Sequence, residues 1–157
     1  MNFAVDEALV RRTLQIAADA VTHGNHPFGA LLANDGQIVL EAENTIFTAR
    51  DVTHHAETNL VHLAVQRFDP AFLAGCVLYT STEPCAMCSG AIYWSGIGAV
   101  VYACSAERLA DFAGAHLSVP CREIFAKGVR PVLVIGPVLQ GEAEQLHAQY
   151  WKPRVGL

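Results

Sequence analysis

Two short motifs in the sequence contain residues suited to bind a metal ion and to move protons beside it. His55 and Glu57 form a His-x-Glu pair, and Pro84, Cys85 and Cys88 form a Pro-Cys-x-x-Cys motif. One imidazole and two thiolates are ligands that zinc favours, and three protein ligands leave the fourth tetrahedral position open. An open position separates a catalytic zinc from a structural one. The motifs therefore predict a catalytic zinc centre with Glu57 beside the metal as a proton carrier.

Each motif alone has other interpretations. A Cys-x-x-Cys pair is also typical of a structural zinc knuckle or a redox pair, and an isolated His-x-Glu occurs by chance. His54 competes with His55 as the ligand, but only His55 stands two residues before Glu57. His26 flanks a turn, and we interpret it as a solvated loop histidine, with an approach to the pocket as the alternative. A non-catalytic zinc scaffold is disfavoured because it has no use for an open position or for Glu57.

Length, composition and charge restrict the class of protein. The chain has 157 residues, of which 52% are hydrophobic, and this predicts one domain over residues 1–157 with a full core. The net charge is −5 and the basic residues are scattered, which disfavours a nucleic-acid partner. The five cysteines are an odd number without a visible signal peptide, so we expect a cytoplasmic protein without a disulfide framework. No apolar run is long enough to span a membrane.

Hydrophobic spacing and turn signals predict the elements that position the two motifs. Asn34, Asp35 and Gly36 predict a hairpin turn between the first two strands. The order α-β-β-α-β-α-β-α-β-α predicts an α/β fold, a three-layer α/β/α sandwich around a mixed five-stranded sheet. The predicted helices are residues 5–22, 54–67, 84–95, 105–112, 120–127 and 141–151, and the predicted strands are residues 28–33, 37–42, 77–81, 99–103 and 132–135.

Both metal-binding motifs are predicted at the start of a helix. Thr53 is the expected N-cap of the second helix, and Pro84 suits the first turn of the third. Leu60 and Leu63 are expected to face the core. Cys85 and Cys88 are three residues apart, so they point to one side of their helix, where the positive end of the helix dipole favours thiolates.

Segments beyond the two motifs resemble the cytidine deaminase-like superfamily. They are residues 27–30, Asn44, and residues 53–57, 78–91 and 97–102. The resemblance spans about residues 5–112 and is strongest to the free-base and nucleoside branch, in particular bacterial guanine deaminases. The motif core is also similar to bacterial tRNA adenosine deaminases and fungal cytosine deaminases. The resemblance implies hydrolytic, zinc-dependent deamination of an amino-substituted nucleobase or nucleoside, with a guanine-like or guanosine-like purine favoured.

The resemblance also implies roles for individual residues. His55, Cys85 and Cys88 would bind zinc, and Glu57 would carry protons from water to a ring nitrogen and to the leaving amine. Asn44 matches the position at which the family places an amide against the polar edge of the base.

Further residues are implied at the walls of the base-binding pocket. Phe28 matches a residue of the pocket wall, and Phe112 and Trp151 are expected to stack on the flat ring. Trp151 and its neighbour Tyr150 resemble C-terminal aromatic residues that cover the base in some members. Where guanine deaminases of this type carry an acid just after a phenylalanine, this chain has Asp111 before Phe112, so Asp111 is the candidate substitute.

Three questions of substrate and assembly stay open at this point. A cytosine or related aminopyrimidine is the alternative substrate, and tRNA adenosine is a weaker one because the acidic chain lacks a basic surface. Thr58 and Asn59 follow Glu57 where relatives carry aliphatic residues, which predicts a more polar pocket border. The apolar stretch of residues 91–94 and the resemblance together predict a homodimer.

Overall fold

The computed structural model describes residues 4–114 and 117–152, and within them a five-stranded sheet carries helices on both faces. The strands are β1 (Gly29–Asn34), β2 (Gln37–Glu43), β3 (Val77–Thr82), β4 (Ala99–Cys104) and β5 (Leu133–Ile135). The helices are α1 (Glu7–Thr22), α2 (Ile46–Ala49), α3 (Ala56–Arg67), α4 (Pro70–Ala74), α5 (Ala86–Ser95), α6 (Ala106–Ala113), α7 (Cys121–Phe125) and α8 (Gln140–Trp151). The sequence did not predict the short helices α2 and α4.

The sheet is mixed, as the sequence predicts. Its strand order is β2-β1-β3-β4-β5; β1 pairs antiparallel with β2 and β3, whereas β3, β4 and β5 run parallel. The hairpin between β1 and β2 turns at Asp35 and Gly36, whose φ angles are 48° and 75°. Two consecutive positive φ angles are the signature of a tight hairpin turn whose twist matches that of the strands.

Two hydrophobic clusters, one on each face of the sheet, make the three layers. Residues of β1, β3 and β4 alternate between the clusters, because successive strand side chains point to opposite faces. One cluster packs the sheet against α3, α5 and α7, and the other packs it against α1 and α8. The predicted three-layer α/β/α sandwich is therefore confirmed.

A glycine lets α1 lie directly on β1. A Cβ atom on Gly29 would stand 2.5 Å from the carbonyl oxygen of Thr13 and 2.6 Å from the amide nitrogen of Ala17. These are backbone atoms of the helix, so a side chain at position 29 would push α1 away from the sheet. The Gly29 amide also donates to Ser81 Oγ at 3.1 Å, which ties β1 to the end of β3.

Three local predictions around the motifs are wrong. Thr53 is not the N-cap of α3; its hydroxyl donates to the Asp51 carboxylate at 2.6 Å, and the helix begins at Ala56 with His55 in the N-cap position. Leu63 is 43% exposed, and Val61 is buried in its place. Pro84 precedes α5, which begins at Ala86. Among residues 4–114 and 117–152, no helix has both the length and the apolar character to cross a membrane.

Candidate active site

Two helix N-termini bring the predicted metal ligands together. His55 is the N-cap of α3, Cys85 is the N-cap of α5, and Cys88 lies in the first turn of α5. His55 and Cys85 have extended φ and ψ angles, as N-cap residues usually do, but neither side chain forms a capping hydrogen bond to its own helix. The convergence of two helix starts on one point, expected from the sequence, is confirmed.

The three ligand atoms form a nearly equilateral triangle. His55 Nδ1 lies 3.6 Å from Cys85 Sγ and 3.5 Å from Cys88 Sγ, and the two sulfur atoms are 3.6 Å apart. A tetrahedral zinc with normal bond lengths separates two sulfur ligands by about 3.8 Å and a sulfur from a nitrogen ligand by about 3.6 Å. The side chains present therefore fit zinc, and no further histidine, cysteine or carboxylate among the described residues joins the group.

The electrostatics of the triangle favour a thiolate at the helix start. A hydrogen bond from Cys88, helped by the His55 ring, lowers the pKa of Cys85 to about 4. The same contact with Cys85, together with burial, raises the pKa of Cys88. The hydrogen bond with Cys85 raises the pKa of His55. The thiolate form is therefore favoured at Cys85.

Glu57 lies next to the triangle without belonging to it. Its side chain is 5% exposed, Oε1 accepts a hydrogen bond from Thr80 Oγ1 at 2.7 Å, and Oε2 lies 3.4 Å from Cys88 Sγ. Burial raises the pKa of the Glu57 carboxyl group above its ordinary value. A buried carboxyl group held by one hydroxyl and facing the metal-binding atoms has the placement of a general acid and base.

A cavity of about 320 Å³ opens above His55, Glu57 and Cys85. Phe28 and Trp151, both half-buried, belong to its wall, as the sequence predicts. The other lining residues were not assigned to the site from the sequence; they are His26, Ile46, Thr82, Glu83, Ala106, Leu109, Ala113, Leu117 and Val119. Apolar walls, aromatic rings and a polar floor at the metal-binding atoms suit a flat heteroaromatic ligand.

Asn44 carries a buried polar group without a partner. The residue is 0% exposed and its Oδ1 accepts a hydrogen bond from the amide of Ile46, which lines the cavity. Its Nδ2 has no hydrogen-bond partner among residues 4–114 and 117–152. An unsatisfied buried donor is costly, and native structures contain few of them. The position of Asn44 is therefore consistent with a donor reserved for a ligand.

Asp111 and Phe112 lie outside the cavity. The Asp111 side chain is 56% exposed and forms an ion pair with Arg108 on the surface of α6. The Phe112 ring stacks on the His147 ring, with 6.4 Å between the ring centroids and 28° between the planes. Neither position supports direct contact with a substrate in this arrangement.

His26 lines the cavity, so the favoured interpretation as a solvated loop histidine is wrong and the alternative, an approach to the pocket, describes its position. Its Nδ1 lies 2.9 Å from the Tyr150 hydroxyl, and its ring centroid is 5.0 Å from that of Trp151. The contact joins residues 124 positions apart, and no local pattern in the sequence signals it.

Thr58 and Asn59 do not border the cavity as predicted. The Asn59 amide instead donates to the Glu43 carbonyl and to Thr45 Oγ1, both at 2.9 Å. Thr58 donates to the carbonyl of His55 at 3.0 Å. Both side chains therefore fix the segment that presents His55.

Glu83 connects two helix starts at the edge of the cavity. Its Oε2 accepts from the amide of Ala106 at the start of α6, and its Oε1 accepts from the amide of Cys121 at the start of α7, both at 3.0 Å. A carboxylate at a helix N-terminus is stabilised by unpaired amides and by the helix dipole. Glu83 therefore holds both ends of the segment that supplies Leu117 and Val119 to the cavity wall.

Comparisons with known proteins agree with this geometry. A probable cytosine deaminase of Schizosaccharomyces pombe is 37% identical over 152 residues, which cover 93% of this chain and 92% of that protein. The guanine deaminase of Bacillus subtilis is 42% identical over 98 residues, which cover 62% of this chain and 63% of that protein. The fold matches the solved structure of a guanine deaminase from Nitrosomonas europaea with a TM-score of 0.82 and 24% identity, covering 96% of this chain and 86% of that one.

The family model of the cytidine and deoxycytidylate deaminase zinc-binding region matches residues 4–104. The match contains His55, Glu57 and both cysteines of the triangle. Ligand atoms at the spacing of a tetrahedral zinc, with a carboxyl group beside them, form the metal centre that this model describes. The chain therefore belongs to the cytidine and deoxycytidylate deaminase family, whose members are zinc-dependent hydrolases of nucleobases and nucleosides.

Proposed function

We propose that this deaminase acts on guanine or a guanine-like purine, as the free base or the nucleoside, and that water replaces the exocyclic amino group. With guanine as substrate, the products are xanthine and ammonia. The observation that carries the proposal is the aromatic-walled cavity of about 320 Å³ above the triangle and Glu57. Two fused rings fill this volume better than one, and the identity to a guanine deaminase over 98 residues points the same way.

Different residues of this chain would bind the metal, transfer protons and position the proton carrier. His55, Cys85 and Cys88 would hold zinc, which when bound lowers the pKa of a water molecule to about 7 and so supplies hydroxide at neutral pH. Glu57 takes one proton from the attacking water and delivers it to a ring nitrogen of the base. It then takes the second proton from the hydroxyl group now on the ring carbon and delivers it to the amino group, which leaves as ammonia when its carbon–nitrogen bond breaks. Thr80 keeps the carboxyl group in place through its hydrogen bond to Oε1.

Two groups would orient the ring, namely the aromatic wall of the cavity and the amide of Asn44, which is not itself a lining residue but accepts a hydrogen bond from the lining residue Ile46. Phe28 and Trp151 offer aromatic surface for stacking. The Nδ2 group of Asn44, which has no partner among the described residues, would donate to an acceptor on the polar edge of the base. A base without an acceptor at that edge would leave the amide unsatisfied, which is a strong source of discrimination.

Cytosine is the second candidate substrate because one specific observation favours it. The probable cytosine deaminase matches this chain over nearly its whole length, at 37% identity. The catalytic groups required are the same, since the proton carrier and metal ligands act on either ring. The difference lies in how much of the cavity the base occupies.

An ammonia-release assay over a panel of bases tests the proposal. The panel contains guanine, guanosine, cytosine, cytidine, adenine, adenosine and isocytosine, with the Glu57→Gln variant as the blank. We expect the highest kcat/KM with guanine or guanosine. Turnover of cytosine with no turnover of either guanine compound would replace the proposal by its alternative. Turnover of no compound in the panel would contradict it altogether.

We also propose that the protein forms a homodimer through α5. Met87, Ala91 and Trp94 follow a single stripe of this helix at spacings of four and three residues. Trp94 is 85% exposed and Met87 is 38% exposed. A tryptophan so exposed on an apolar stripe is typical of a protein interface, and a second copy would bury the same stripe on both partners.

A further inference from the structure

Thr82 ends β3 at the wall of the cavity and is bonded to a buried histidine. Its side chain is 3% exposed and lines the cavity. Its Oγ1 lies 2.9 Å from Nε2 of His147, which belongs to α8 and is 1% exposed. Both atoms can in principle donate or accept, so the direction of this hydrogen bond depends on the protonation of the imidazole.

The contact of Trp151 with His147 determines the direction of the hydrogen bond between His147 and Thr82. Its indole Nε1–H can only donate, and it points at Nδ1 of His147 at 3.3 Å. Nδ1 must therefore be the unprotonated, accepting nitrogen of the ring. Burial keeps His147 neutral by lowering its pKa to about 4, so the single ring proton resides on Nε2. Nε2–H then donates to Thr82 Oγ1, which accepts.

The hydroxyl hydrogen of Thr82 takes no part in the bond to His147 and can therefore be donated to another group. Thr82 Oγ1 makes no other hydrogen bond within residues 4–114 and 117–152. Thr82 Oγ1 accepts the proton of His147 Nε2, and this bond orients the hydroxyl group. The hydroxyl hydrogen is then available to a ligand in the cavity. A buried donor without a partner is unfavourable unless a ligand satisfies it.

We propose that Thr82 binds the substrate by donating its hydroxyl hydrogen to an acceptor atom of the base, and that His147 is the positioning residue that orients this hydroxyl. The proposal rests on the proposed function, because the ligand of the cavity is taken to be a nucleobase. Ring nitrogens and carbonyl oxygens of such bases are suitable acceptors. Thr82 and Glu57 both line the cavity, so the new donor and the proton carrier face the same space.

Substitution of Thr82 tests the first half of the proposal. Thr82→Val keeps the shape of the side chain and removes the hydroxyl, so KM for the best substrate of the panel should rise about tenfold. Thr82→Ser restores the hydroxyl and should recover most of this loss. Thr13→Val is the matched control, because Thr13 is also buried and its hydroxyl bonds only the Val10 carbonyl of α1. The control should lower the melting temperature without raising KM.

Substitution of His147 tests the second half. His147→Leu has similar volume and removes the bond to Thr82, so it should raise KM as well. In the double variant with Thr82→Val, the increase in KM should be smaller than the product of the two single increases, because His147 acts partly through Thr82. An increase in KM equal to that product would overturn the positioning role. If Thr82→Val does not fold, Thr82→Ala compared with Thr82→Ser supplies the same measurement.

The outcomes separate this proposal from the proposed function. A wild-type protein that releases ammonia, with Thr82→Val equal to wild type in KM, would overturn the role of the hydroxyl and leave the deaminase assignment intact. A wild-type protein that releases ammonia from no base would overturn the proposed function, and the role of Thr82 in substrate binding would fall with it. Zinc content, measured on every variant, should stay equal to wild type, because Thr82 and His147 lie outside the triangle.

Discussion

The burial of His147 predicts a specific loss of stability in mild acid. The folded protein holds the pKa of this imidazole at about 4, against 6.5 for an unperturbed histidine, because burial disfavours its charged form. Between these two pH values the unfolded chain binds a proton that the folded chain excludes. The free energy of unfolding therefore falls as the pH drops below about 6.5, and the effect levels off below about 4.

The magnitude follows from the width of this pH window. The pKa difference of roughly 2.5, at about 1.4 kcal/mol per pH unit, gives a ceiling of about 3.5 kcal/mol; about 3 kcal/mol of it is lost by pH 4, where His147 of the folded protein is half protonated. The geometry gives the same sign, because a proton on Nδ1 would oppose the Trp151 indole N–H that now donates to it. A loss of this size is a large share of the stability of an ordinary domain.

Urea unfolding between pH 4.5 and 7.5, followed by tryptophan fluorescence, measures this effect against the His147→Leu variant. The variant has no imidazole at position 147, while every other titrating group, including the zinc ligands, is common to both proteins. We expect the unfolding free energy of the wild type to fall steadily relative to that of the variant as the pH decreases from 6.5. A difference that stays constant across this range would refute the assignment of a buried neutral His147.

The remaining predictions concern the metal centre, the proton carrier, the orienting amide and the interface. Glu57→Gln should keep its zinc yet lose ammonia release by about 10²–10⁴-fold; retained turnover would contradict the proton-transfer role. Cys88→Ser should lose zinc by atomic absorption, whereas Cys76→Ser, a buried cysteine outside the triangle, should keep it; zinc retained in Cys88→Ser would argue against the ligand set. Asn44→Ala should raise KM about tenfold with zinc unchanged, and an unaltered KM would remove the amide from substrate binding. Trp94→Lys should turn a dimer into a monomer by light scattering, while Val52→Lys, at an 80% exposed position that does not belong to α5, should not; a monomeric wild type would refute the dimer.

The residues of the metal centre could be predicted from the sequence because each of the two motifs that supply them is local. The spacing of Cys85 and Cys88 is one helical turn, and His55 and Glu57 share another helix start, so two short motifs contain all four groups. The hairpin at Asp35 and Gly36 was equally local, since a turn with two positive φ angles restricts its residue types.

The cavity wall could not be predicted in the same way, because tertiary packing assembles it. His26 meets Tyr150 across 124 positions, and Thr82 meets His147 across 65. Hydrophobic spacing assigns a side chain to a face but not to a partner, and Leu63 shows that even the face is uncertain on a short amphipathic helix. The cap of α3 was misplaced for a related reason, since Thr53 bonds Asp51 instead of the helix amides.

The two hydrogen bonds of Glu83 have a consequence for how new substrate preferences arise in this fold. Ala106 and Cys121, the first residues of α6 and α7, are both fixed to one carboxylate that stands two residues before the ligand Cys85. Substitutions between these anchors change the outer wall of the cavity, at Ala113, Leu117 and Val119, while the metal ligands and Glu57 stay on separate elements. Selection for another base can thus act on side chains that are neither metal ligands nor the proton carrier, and a library at Ala113, Leu117 and Val119 is the direct way to exploit this.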